Sequence, residues 1–302
     1  MTRYYKKWFL PLLLPALILF ALVIALPFIL GIIYSFTGWR GSYFVGEYGR
    51  TEVLSEAFVG LANYAKAFAS QKFRSAFAYT MEFTLISVVT INITGLLLAL
   101  MIHSIGRGRG LFRTVFFLPN MLGGLALGYI WQIIFQTVFS EMLFGPGGLI
   151  PIEFFTYMTQ DRLKNLFALA ILMTWQSAGY MMIIYMTGLN GIPGEIYEAS
   201  SIDGASRWQT FRSVTLPMLM PAVTVCIFLT LANSFKLLDQ NVALTDGEFN
   251  TRLLALQILR TTRDASPPDY GMAQAQAVIF FIAVAVITLL QVTVTKKREV
   301  EM

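Results

Sequence analysis

The stretch WFLPLLLPALILFALVIALPFILGIIYSFTGW, residues 8–39, runs for 32 residues without a single Lys, Arg, Asp or Glu. The hydrocarbon core of a bilayer is ~30 Å thick and a helix rises ~1.5 Å per residue, so about 20 apolar residues cross it. This run is long enough. Arg3, Lys6 and Lys7 precede it as they would in a signal peptide. Its apolar part, however, far exceeds the usual ~7–15 residues of such a peptide, and no small-x-small site ends it, so it reads as a retained helix. Five further charge-free stretches follow at 83–106, 114–140, 165–194, 213–235 and 270–295.

The whole chain agrees with that reading. Of 302 residues, 56% are hydrophobic and only 13% charged, with 25 Phe and 14 Met. A soluble domain carries about 25% charged residues. A disordered chain, a disulfide scaffold and an ordinary soluble enzyme are therefore excluded. Cys226 is the single cysteine, so no internal disulfide forms. The net charge of +5 fits basic loops beside a membrane better than nucleic-acid binding. The fold class expected is an all-α integral membrane protein of one domain, residues 1–302. Its six spans are placed near 10–36, 80–105, 114–139, 166–190, 218–240 and 272–295.

Orientation follows from the basic residues. With the N-terminus inside, Lys and Arg are about twice as dense on the inner segments as on the outer ones. Arg107, Arg109, Arg113 and the terminal Lys296, Lys297 and Arg298 are the clearest anchors. That is the positive-inside pattern, and it puts both termini in the cytoplasm. Trp8, Trp39, Trp131 and Trp175 read as interfacial or packing aromatics.

The spans hold almost no ionisable side chains. Proton-coupled carriers usually place Asp, Glu or His at membrane depth. Here His103 lies at the inner end of the second span and Glu82 at its outer mouth. The phosphate-loop pattern G-x-x-x-x-G-K-[ST] is absent, as are H-E-x-x-H, paired Cys motifs and G-x-S-x-G. The chain is thus expected to be no enzyme and to hold no cofactor or metal. Any ATP, with its Mg, would bind to a partner.

The longest inner segment, 191–217, is patterned as two short helices and not as a flexible loop. Pro193 opens the first, with Glu195 and Glu198 in its early turns, where the helix dipole favours acids. Asp203-Gly204 stops it, since Gly adopts positive φ freely. Residues 205–214, with Trp208 and Phe211, form the second, and Leu216-Pro217 leads into the next span. From the pattern alone, this knob is either a membrane re-entry element or a docking element.

The run EASSIDGASRWQTFRSVTLPMLMP, residues 198–221, closely resembles the "EAA" loop of ABC importer permeases. Glu198, Ala199, Asp203, Gly204, Ala205, Phe211, Leu216 and Pro217 all fit that pattern; Ser200 stands where the family has its second Ala. The resemblance covers nearly the whole chain and is nearest to the carbohydrate-type permeases, which include the maltose and glycerol-phosphate subunits. FVGLANY (58–64), FRTVFFLP (112–119) and YGMAQA (270–275) resemble their corresponding segments, and LTDG (244–247) falls where the family often has L-T-x-G-G-P. Glu248 and Phe249 replace the final Gly-Pro. The chain resembles the shorter, six-span form.

The resemblance implies a multi-pass permease of a bacterial or archaeal cytoplasmic membrane. It implies a second, related permease, two ATP-binding cassette subunits and an external solute-binding protein that delivers a sugar. No nucleic acid is involved. The knob at 191–217 would couple to an ATPase subunit, transmitting ATP-driven closure as an outward opening.

A sugar pathway should be uncharged but polar, with rings to cover the apolar face of a pyranose. Gln176, Ser177 and Tyr180 share one face of the fourth span. Thr230, Asn233 and Ser234 share one face of the fifth. The resemblance places Ser177, Tyr180 and Asn233 at sugar-site positions, and puts Ala232 where an aromatic stands in the maltose-type permease. The other reading of these groups is hydrogen bonding between helices. Lys236 is open to three roles: pairing with Asp239, contacting a sugar or an anion such as a glycerol phosphate, or snorkelling to the outer interface. Other solutes, an amino acid among them, and a stand-alone secondary carrier are the alternative functions.

Overall fold

The computed structural model describes residues 2–46, 49–105 and 107–297; Arg298 and the side chain of Trp8 fall outside the described set. The chain is predominantly helical. Four helices are long and apolar enough to cross a membrane: α1 (Phe9–Ser35), α3 (Gln71–Ser104), α6 (Arg162–Asn190) and α12 (Tyr270–Lys296). Two bent helix pairs bring the number to six if each counts as one span. The first is α4 (Arg109–Met121) with α5 (Gly124–Leu143), bent by 96°; the second is α8 (Arg207–Met218) with α9 (Met220–Phe235), bent by 67°. Shorter helices are α2 (Ala62–Ala69), α7 (Gly194–Ile202), α10 (Asp239–Thr245) and α11 (Leu254–Arg263).

Both bends have local causes. Pro119 is followed by Leu122 and Gly123, which are extended at ψ 139° and 137°. In the second pair, Pro217 and Pro221 bracket Leu219. Pro221 lacks an N–H and its ring presses on the carbonyl four residues back, so the helix cannot run straight.

The chain divides into two compact units. One takes the chain up to Arg74 together with Ile258–Ile282. It contains a three-stranded antiparallel sheet, β1 (Trp39–Arg40), β2 (Tyr43–Gly46) and β3 (Gly49–Thr51), where an all-α chain was expected. Trp39 pairs with Phe44, and Phe44 with Thr51. The buried Asn63 amide donates to the carbonyls of Ser35 (2.9 Å) and Thr37 (2.8 Å), and Arg40 pairs with Asp269 at 3.2 Å. The three strands hold nine residues and include Trp39, Tyr43, Phe44, Val45 and Thr51, side chains of the types that favour strands. No residue in the most apolar part of α1 is fully buried within the chain.

The other unit takes Ser75–Gln257 and the chain from Ala283. Tyr79, Phe83, Phe135, Leu169, Leu172, Met182 and Tyr185 form its core. The second span begins nine residues before the expected position 80. Its N-terminal half is tied down by Arg162, which pairs with Glu82 at 2.8 Å, and by Tyr79, whose hydroxyl donates to Asn165 Oδ1 at 2.8 Å. The fifth span was expected to reach 240, but α9 stops at Phe235 and α10 starts afresh at Asp239.

The restart is fixed by packing. α10 lies against α5 so closely that a Cβ on Gly124 would stand 2.8 Å from Cβ of Asp239, and one on Gly128 2.5 Å from Cβ of Ala243. Gly124 and Gly128 are four residues apart, as are Asp239 and Ala243, so two matching turns run parallel and meet at close range. Small-xxx-small pairs allow this approach between apolar helices. Gly128→Val should therefore push α10 away at a cost of about 1–3 kcal/mol. Thermal unfolding of the purified transporter checks this, and an unshifted midpoint would refute the close seat.

Candidate functional site: a polar cavity and a capped knob

α10 helps to form one wall of a cavity of about 330 Å³, with Asn120, Gln176, Ser177, Asn233, Lys236 and Asp239 also on it. Four of the seven residues expected on a pathway, Gln176, Ser177, Asn233 and Lys236, thus come together. Gln240 Nε2 donates to Gln176 Oε1 at 2.9 Å, and Gln176 Nε2 donates to the Leu122 carbonyl at 3.3 Å. Gln176 is 7% exposed and is fixed by these bonds, so it joins α6 to α10 and to the α4–α5 turn. The side chains of Ser177, Asn233 and Asn120 make no hydrogen bond among the described residues, so their donors and acceptors are open to a ligand. Lys236 and Asp239 form no ion pair with each other there. Both face the cavity, so its charge is balanced.

Tyr180, Thr230 and Ser234 do not line it. Tyr180 lies one turn, ~6 Å, nearer the C-terminal end of α6 than Gln176 and packs near Phe117, with ring centres 6.4 Å apart. Ser234 is 1% exposed, on the side of α9 turned into the core. Thr230 belongs to an interhelical network. The Tyr185 hydroxyl donates to Asn92 Oδ1 at 2.8 Å, and Asn92 Nδ2 donates to the Val88 carbonyl (2.8 Å) and to Thr230 Oγ1 (3.2 Å). Thr230 in turn donates to the Cys226 carbonyl at 2.8 Å. This network ties α3, α6 and α9 together.

Sequence reasoning passed over Asn92, Tyr185, Asn120 and Gln240. An Asn inside an apolar span was the available signal for Asn92. Asn120 and Gln240 carried none, because their positions depend on the chain breaks beside them. Another cavity, of about 720 Å³ between α3, α4 and α6, is walled by Ile86, Leu98, Val115, Phe116, Phe167 and Trp175. Its Thr174 and Thr90 hydroxyls bond to each other at 2.7 Å, so it offers little to a polar solute.

The eight residues expected to couple all lie on one knob. Glu198 and Ala199 are on α7, Asp203 caps it, and Gly204 follows at φ 75°. The Gly204 N–H donates to the Ser201 carbonyl (3.1 Å) and the Ala205 N–H to the Ser200 carbonyl (3.1 Å), which is a Schellman ending. Ser206 and Gln209 then open α8 with a capping box, a signal legible as S-x-x-Q. α8 runs on to Met218 and so includes Phe211, Leu216 and Pro217, where a helix over 205–214 was expected. Ser200 Oγ and Thr210 Oγ1 share a hydrogen bond of 2.9 Å across the two helices, and Trp208 stacks with Phe211 at 5.7 Å. Ile202 and Trp208 are 86% and 66% exposed, an apolar tip beside the acids Glu198 and Asp203.

Residues 91–299 match the family of binding-protein-dependent transport system inner membrane components. The chain belongs to that family. The permease is 38% identical over 305 residues to the probable starch degradation products transport system permease protein AmyD of Thermoanaerobacterium thermosulfurigenes, covering 100% of this chain and 99% of that one. It is 32% identical over 296 residues to the multiple sugar-binding transport system permease protein MsmF of Streptococcus mutans, covering 98% and 97%. It is 26% identical over 250 residues to the trehalose/maltose transport system permease protein MalF of Thermococcus litoralis, covering 82% and 83%. Among solved structures, it resembles a bacterial ABC transporter involved in the import of the acidic polysaccharide alginate. There the TM-score is 0.74 and the identity 20%, over 98% of both chains, a likeness of fold.

In the permease, Tyr185→Phe removes one bond of the interhelical network. Such bonds contribute ~0.6 kcal/mol on average and up to ~1.7 kcal/mol in membrane helices. The variant should show a small drop in thermal midpoint with solute affinity retained. A change in affinity without a change in midpoint would place Tyr185 in the pathway.

Proposed function

We propose that this permease forms half of the translocation pathway of an ATP-driven importer for a neutral sugar, an oligosaccharide. The observation that carries this reading is the cavity around Asn233: open amides and a hydroxyl, with one cation balanced by one anion. Hydroxyl-rich neutral solutes match such a wall. A glycerol phosphate would meet Lys236 but also the Asp239 carboxylate, which counts against that alternative. The names borne by AmyD, MsmF and MalF, all of sugar systems, support the same choice.

In this reading the chain crosses the cytoplasmic membrane of a bacterium or archaeon six times with both termini inside, and pairs with a second permease. Of two ATPase subunits, one takes up the knob, and ATP and Mg bind to those subunits and not here. An external binding protein delivers the sugar. The knob suits force transfer because its two helices are capped, stapled to each other and continuous with α9 through the Leu219 bend. Its exposed Ile202 and Trp208 supply the apolar anchor of the docking surface.

Two variants test the two halves of this reading. A Cβ on Gly204 would meet nothing within 4 Å, so Gly204→Val acts through its positive φ alone, at a cost of about 1–3 kcal/mol. The expected outcome is a permease that still inserts but retains less ATPase on copurification and transports less. Normal retention and normal uptake would make the knob a membrane re-entry element. Asn233→Ala removes an open amide, and a net hydrogen bond contributes ~0.5–1.5 kcal/mol. Uptake KM should rise about two- to tenfold with ATPase retention intact; unchanged kinetics would sink the site assignment.

A further inference from the structure

A second polar cavity, of about 410 Å³, lies along α10 beyond the first. Tyr129, Gln132, Gln136, Gln160, Glu248 and Phe249 wall it. The first cavity touches Asp239 and Gln240, and the second touches Val242 through Thr245. The rise of one helix separates these contacts by no more than ~9 Å.

Its chemistry is that of a carbohydrate site. The side chains of Gln136 and Gln160 and the Tyr129 hydroxyl make no hydrogen bond among the described residues. Gln132 Nε2 donates to the Leu244 carbonyl at 3.0 Å, which fixes that amide while leaving its oxygen available. Three amides thus offer both donors and acceptors. Tyr129 and Phe249 are 53% and 55% exposed, so two ring faces are free to cover the C–H side of a pyranose. Among the described residues no Lys or Arg lines the cavity, while the exposed Glu248 does. Its carboxylate accepts bonds from sugar hydroxyls and repels uronates, phosphate esters and other anions.

The wall is also built at a conformational cost. Asp246, Phe249 and Asn250 hold positive φ of 50°, 55° and 58°. Non-glycine residues persist in that region only where their surroundings impose it, and such positions gather at functional sites. Here the surroundings are specific. Asn241 Nδ2 donates to the Thr251 carbonyl (2.8 Å), its Oδ1 accepts from the Leu253 N–H (2.9 Å), and the Thr245 and Thr251 hydroxyls bond at 2.6 Å. On the facing wall, α5 widens to π-type winding from Ile134, between Gln132 and Gln136. π turns are also frequent at functional sites.

We infer that this cavity is a second sugar station, which binds a neutral oligosaccharide at units distinct from those held beside Asn233. The inference rests on the sugar-import reading above. It makes the permease sensitive to chain length: a longer solute reaches both stations and a short one fills only one.

The test uses the complete transporter, with its partner permease, ATPases and binding protein, in proteoliposomes. Labelled neutral oligosaccharides of two and of five to seven units, from α-glucan and arabinan series, are the probes. The variants are Gln136→Leu and Phe249→Ala, both at exposed positions, with Asn233→Ala for comparison. Docking of the binding protein is measured in parallel. For either variant, the ratio of KM for the long chain to KM for the disaccharide should rise roughly three- to tenfold, as loss of one or two contacts implies. Asn233→Ala should raise both KM values and leave the ratio alone. An unchanged ratio in both variants would overturn the inference, as would a loss that tracks weaker docking of the binding protein, which would make the cavity a protein contact. If the unaltered transporter carries no neutral oligosaccharide at all, the sugar-import reading itself has failed, and that outcome is visible before any variant is examined.

Discussion

The close seat of α10 on α5 governs the polar half of this permease. Two glycines one turn apart admit a short helix that an ordinary side chain would hold off. In a bilayer, helices gain little from the hydrophobic effect between them, so packing at short range and satisfied polar groups carry the association. With α10 seated, Gln240 reaches Gln176 and Leu244 receives Gln132. Both cavities are walled partly by this one helix. A straight fifth span reaching residue 240 would have left neither.

Two kinds of polar group in the spans are distinguished by their partners. Asn92, Tyr185 and Thr230 satisfy one another and tie three helices together. Ser177, Asn233 and Asn120 stand at a cavity with nothing to bond. Unsatisfied polar groups are costly in a low-dielectric medium, so the second set belongs where water or a solute can reach. Residue type alone does not separate the sets, since each holds an Asn and a hydroxyl.

That is why the sequence was legible in some places and not in others. The charge-free stretches located the four long apolar helices and the two bent pairs, because apolar length is a property of composition. The knob was legible because its glycine stop and acidic first helix are local signals, although the capping box that starts α8 at Ser206 went unused. The bends escaped notice: Pro119 with the Gly123-Gly124 pair, and Pro217 with Pro221, were visible but were read through as continuous spans. The sheet at Trp39–Thr51 escaped because its strands are two to four residues long. Tyr180 shares a face of α6 with Gln176 but not its depth, because the i, i+4 rule fixes direction and also moves a side chain a full turn along the axis.

The bare surface of α1 bears on how the chain is made. No residue of its most apolar stretch is buried within the chain, although Phe28 meets Phe281 of α12 at 4.7 Å, whereas more than half of the corresponding stretch of α6 is buried. Leu, Ile, Phe and Val each favour entry into a bilayer by ~0.3–0.6 kcal/mol at a helix centre, so α1 has all the free energy it needs for membrane insertion as soon as it leaves the ribosome. α6 carries Asn165 and Gln176 and acquires their partners only from α3, α10 and the α4–α5 turn. Biogenesis is accordingly staggered: the first helix anchors the nascent chain by itself, and the polar helices settle only once the segments that satisfy them have been synthesised.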